Sequence, residues 1–129
     1  MRRFVHNIIT NHSKKMIKPS IMRQSVANSI KNVFEHTFES RLGDNLSSET
    51  MAVINGKQIG LSTLTWTEFG NVDTVELANQ CFAATRTAIA ALKSEFPALS
   101  ISMTDFALIP DRNNRSISVL ANVSVTLFR

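Results

Sequence analysis

A chain of 129 residues with 43% apolar content suits one domain large enough to bury its own core. No apolar run approaches the ~18–20 residues that span a bilayer. The single cysteine, Cys81, excludes an internal disulfide and gives no sign of an oxidising compartment. The net charge of +4 is unevenly spread. Residues 1–31 hold seven Lys or Arg and no acid, whereas residues 32–129 hold seven bases against all ten acids. The body is therefore slightly acidic and the N-terminal quarter strongly basic. Such a split points to a segment that meets phosphate, an anionic membrane or an acidic protein surface.

The first stretch carries Arg2, Arg3, Lys14, Lys15 and Lys18. Pro19 disfavours helix at Lys18, and Ser20 suits an N-cap. This separates a basic arm, residues 1–19, from a single domain, residues 20–129. Met22, Val26, Ile30, Val33, Phe34 and Phe38 then recur at helical spacing. They predict an amphipathic helix over residues 20–42, closed by a left-handed Gly43. Arg23, Lys31, Glu35, Glu39 and Arg41 fall on its expected solvent side.

After a polar loop at residues 44–49, Met51–Ile54 reads as a short strand. Asn55-Gly56 is a hairpin signal, because Asn and Gly accept the positive φ that tight turns demand. A second strand runs to Phe69. Its apolar parity shifts from Ile59 and Leu61 to Leu64 and Trp66, so a β-bulge is expected near Ser62 or Thr63. Asp73 with Glu76 resembles a capping box, with Val72 and Leu77 as its staple. A helix follows, with Val75, Ala78, Phe82, Thr85, Ile89, Leu92 and Phe96 as its expected inner stripe and Pro97 as its stop. A further strand shifts parity between Met103 and Phe106, which predicts a bulge near Asp105. Residues 110–114 read as a turn. In the last strand Ile117, Val119, Ala121, Val123, Val125 and Leu127 share one face. Ser116, Ser118, Leu120, Asn122, Ser124, Thr126 and Phe128 share the other.

The order predicts an α+β fold: two αββ units forming an antiparallel sheet with helices on one face, preceded by the basic arm. As a pattern of elements over roughly residues 20–128, it resembles the small tail-terminator and head-to-tail completion proteins of tailed bacteriophages. The Ala-rich helix from Val75, the Phe96-Pro97 stop and the final strand to Phe128 carry the resemblance. The short first hairpin and the basic extension before Ser20 depart from it. The resemblance implies a non-catalytic virion protein that forms a ring, expected to be hexameric. It transfers no functional residue to a position in this chain.

Catalytic motifs are not found. Gly43, Gly56, Gly60 and Gly70 lack phosphate-loop or dinucleotide spacing. One cysteine and three scattered histidines do not form a zinc set. His36 with Glu39 reads as a surface pair on a helix, and Cys81 as a structural thiol two turns inside one. No catalytic residue, metal or cofactor is therefore expected. The expected role is that of a structural protein in a homo-oligomer or larger assembly. Lightly charged strand faces suit a sheet that pairs or packs with a neighbour, and Thr63, Thr65, Thr67 and Trp66 are its candidate interface residues. For Trp66 a core position is weighted above an interface one.

The alternative is binding of nucleic acid or an anionic surface through Arg2, Arg3, Lys14, Lys15, Lys18 and Arg23. Phe4, Val5, Ile8 and Ile9 would also give the segment an apolar side. The expected location is virion or cytoplasm, with membrane association disfavoured. A mitochondrial presequence ranks last, and the four Asn-x-Ser triplets read as chance matches in the absence of a secretory signal.

Overall fold

The computed structural model describes residues 19–70 and 72–126, with the side chains of residues 19–23 outside that description. The described chain is α+β. Helix α1 (Pro19–Arg41) precedes the hairpin of β1 (Ser47–Asn55) and β2 (Gln58–Glu68). Helix α2 (Thr74–Glu95) precedes the hairpin of β3 (Ser100–Asp111) and β4 (Ser116–Thr126). The strands form one antiparallel sheet in the order β1-β2-β4-β3, so the two hairpins join through their second strands. The edges are β1 and β3.

Both helices lie on the same face of the sheet. Ala27, Ile30, Phe34 and Phe38 of α1 bury against Ile59 and Leu61 of β2 and Val123 and Val125 of β4. Ala84, Ala88 and Leu92 bring α2 into the same cluster. Phe34 and Phe38 stack within it, with ring centroids 6.0 Å apart. A smaller cluster of Leu77, Cys81, Ile117 and Val119 continues the core toward the other end, with Phe106 packed against it.

Several local expectations change. In α1, Ala27 is buried while Val26 is exposed, and Lys31 and Glu35 are half-buried as an ion pair at 3.5 Å rather than solvated. In α2 the inner stripe is Leu77, Cys81, Ala84, Thr85, Ala88 and Leu92, so Val75 and Phe82 point outward. The side it buries is slim at Ala84 and Ala88, and it packs closely along α1 as well as over β3 and β4. Phe82 instead meets Phe106 edge-on at 5.7 Å and lies under the Arg86 guanidinium. Asp73 occupies the N-cap position of α2, but its carboxylate makes no capping bond.

Gly43 is not left-handed. It donates its N–H to Gln80 Oε1 at 3.1 Å, and a Cβ there would sit 3.3 Å from that same oxygen. The first strand of the first hairpin is longer than expected, at nine residues, and the second ends at Glu68. Its turn is shifted by one residue. Asn55 pairs with Gln58, and Gly56, at φ 62°, occupies the first central position as in a type II′ turn.

The bulge in β3 is present, between Met103 and Asp105. Thr104 Oγ1 donates to the Asn122 carbonyl there, and Phe106 N–H donates to the Asp105 carboxylate. The bulge restores Phe106 to the covered face. The bulge expected near Ser62 is absent: β2 pairs without interruption with β1 from Gln58 to Trp66 and with β4 from Gln58 to Glu68.

Candidate interaction surface

An unbroken β2 settles the parity of its side chains. Ile59, Leu61, Thr63, Thr65 and Thr67 all face the helices and are buried. Leu64 and Trp66 face the other way. The three threonines expected at an interface are therefore core residues, and the tryptophan expected in the core is on the uncovered face. The hydroxyls reveal how threonine is tolerated inside. Thr63 Oγ1 pairs with Thr50 Oγ1 across the hairpin at 3.0 Å, and Thr67 Oγ1 donates to the Asn45 carbonyl at 3.1 Å. Thr65 Oγ1 has no hydrogen-bond partner of good geometry. The Cys81 thiol beside it offers weak compensation. Burial pushes that thiol's pKa up, and the Thr65 hydroxyl pulls it part of the way back.

The uncovered face can be read row by row from the strand register. Ser47, Trp66, Ser118 and Ile109 lie side by side across the four strands. The next row is Glu49, Leu64, Leu120 and Ala107. The third is Met51, Ser62, Asn122 and Asp105, in which the Ser62 hydroxyl bonds the Asn122 side chain. Val53, Gly60, Ser124 and Ser102 follow. Beyond Trp66 the sheet ends on Glu68, Ser116 and Asp111.

This face has a connected apolar centre. Leu64, Leu120, Trp66, Ala107 and Ile109 adjoin one another, and Met51 extends the patch. Met51 is 52% exposed, Ile109 44% and Trp66 37%. Glu49, Glu68, Asp105 and Asp111 stand around that centre, and among the described residues no Lys or Arg occupies the face. Asp111 also organises the β3–β4 turn by accepting N–H bonds from Asn113 and Asn114. Arg115 completes the turn at φ 52°. Sequence reasoning found the Ser/Asn side of β4 but missed the patch, because its members are spread over four strands and meet only through the register.

Of the expected arm residues, Arg2, Arg3, Lys14, Lys15 and Lys18 lie outside the described residues. Arg23 falls within α1, and its side chain is not described. His36 and Glu39 are both exposed on α1. Among the described residues no group of three or more His, Cys, Asp or Glu is placed to hold a metal ion. No described helix is long and apolar enough to cross a membrane.

No protein-family model matches the chain. No curated protein matches it either. Among solved structures, it is similar to the core region of PilO from the type IV pilus system of Pseudomonas aeruginosa. The likeness covers 71% of this chain and 86% of that one at 15% identity, with a TM-score of 0.26. A superposition that low carries no argument about what this chain does.

Proposed function

We propose that this chain is a non-catalytic structural protein that self-associates through the open face of its sheet. One observation supports the reading. The sheet has two faces with apolar centres, and the described helices cover only one of them. A contiguous apolar patch on an otherwise complete domain marks an interaction site, and a sheet face buries such a patch by acquiring a second layer. The acidic rim disfavours phosphate as the partner of this face. Phosphate binding through residues 1–31 rests on sequence charge alone. The ring of a phage tail terminator, which the element order resembles, is the kind of assembly proposed. Native mass spectrometry or light scattering at tens of micromolar tests the reading. A mass above the monomer is expected, and a monomer throughout would overturn it.

A further inference from the structure

We infer that the partner of the open face is the basic N-terminal segment, residues 1–18, of a neighbouring copy. The inference rests on the reading of that face as the site of self-association, and it names what binds there. Three features of the molecule converge on it.

The first is charge. Glu49, Glu68, Asp105 and Asp111 surround the patch, and among the described residues no base shares the face with them. A second copy laid face to face would set four carboxylates against four more. Residues 1–18 bring Arg2, Arg3, Lys14, Lys15 and Lys18 without a single acid. Like charges across an interface are penalised and opposite ones steer the encounter.

The second is apolar content. The same segment carries Phe4, Val5, Ile8 and Ile9 in its first half and Met16 and Ile17 in its second. It therefore offers apolar side chains to the centre formed by Leu64, Trp66 and Leu120, together with cations for the rim.

The third is size. Strands ~4.8 Å apart and ~3.3 Å per residue make the face roughly 14 by 36 Å, about 500 Å². That alone falls short of the ~800 Å² per partner of a standard interface. Reciprocal exchange, in which each copy both gives a segment and receives one, roughly doubles the buried area per partner and passes that figure. Eighteen residues reach at most ~60 Å when extended, enough to lie along the face. The segment enters α1 in the helix layer, on the opposite side of the sheet from the patch.

Trp66 is the only tryptophan and sits in the patch, so its fluorescence reports occupancy in the full chain. At low salt the protein should exceed the monomer mass, with Trp66 protected from acrylamide. Raising the salt should lower the mass and expose Trp66 together, a test that needs no variant. The full chain carrying Arg2→Glu, Arg3→Glu, Lys14→Glu, Lys15→Glu and Lys18→Glu should associate roughly tenfold more weakly or worse, judged from surface ion-pair strengths. Adding Glu49→Lys, Glu68→Lys, Asp105→Lys and Asp111→Lys to that variant should restore association. An assembly whose mass and Trp66 protection ignore both salt and charge reversal overturns the inference but leaves self-association standing. A monomer with Trp66 accessible overturns both. A monomer with Trp66 protected until the charges are reversed means that the segment folds back on its own molecule, which also overturns exchange.

Discussion

The covered and open faces of the sheet differ less in composition than in what lies over them. On the covered face β2 contributes two aliphatic residues and three threonines; on the open face it contributes Leu64 and Trp66 among polar neighbours. Neither row is purely apolar. What separates them is β4, whose Val119, Ala121, Val123 and Val125 stand opposite Thr65, Thr63, Leu61 and Ile59. The strand with the clean alternation decides which face the helices take, and the ambiguous strand follows through the register. The lesson is that a strand's own pattern does not fix its orientation when its neighbour's pattern is stronger.

The largest test of the comparison is to damage the covered face where it is tightest. Phe34 is fully buried and stacks on Phe38. Phe34→Ala should cost about 3–5 kcal/mol of unfolding free energy, through lost transfer energy and the cavity left behind. Urea denaturation measures it. A cost below about 1 kcal/mol would mean that α1 does not seal the core as described.

The threonines sharpen the point. Thr63→Val leaves Thr50 Oγ1 buried without its partner and should destabilise by about 1–3 kcal/mol. Thr65→Val, two residues away, removes a buried hydroxyl that has no good partner. It should be neutral or stabilising by up to about 1 kcal/mol. Equal losses at both positions would refute the distinction between a paired and an unpaired hydroxyl.

Much of this was legible in advance. The αββαββ order, the antiparallel sheet, the bulge at Asp105, the faces of β4 and the buried Cys81 follow from periodicity and turn chemistry. The reversals have a common cause. Val75, Phe82, Leu64 and Trp66 are large and apolar, so local reading assigns them to the core. The structure gives the interior to Ala84, Ala88 and the threonines, and the small alanines let α2 lie close along α1 over the sheet. Volume constraints between elements distant in sequence are invisible to a window of ten residues. The patch was hidden for the same reason.

On the open face, the effects on folding and on association should part. Met51 and Ile109 lie on the two edge strands and are about half exposed. The double change Met51→Ser and Ile109→Ser should alter unfolding free energy by under about 1 kcal/mol. It should weaken self-association by roughly threefold to tenfold, as expected for exposed apolar residues that flank the centre of an interface. Denaturation and native mass, measured on the same sample, separate the two. Loss of folding and of assembly in parallel would show that the face belongs to the domain's own core.

The smallest effect comes from Cys81, and it reports on the covered face by pH. Burial raises the thiol's pKa in the folded chain above that of an unfolded cysteine, about 8.5. Below that pH both states hold the proton, and the contribution to stability is fully present. As pH climbs past it, the unfolded chain loses its proton first, so stability declines until the folded thiol ionises too. Urea midpoints should therefore fall between about pH 7.5 and 9.5 in the parent chain. In Cys81→Ala the midpoint should start lower, because the smaller methyl side chain replaces the buried thiol, but that part of the fall should be gone. Parallel declines in the two proteins would show that the thiol is not sealed beneath α2. A thiol-specific reagent checks the same seal, since a buried neutral thiol should react only as fast as the core opens.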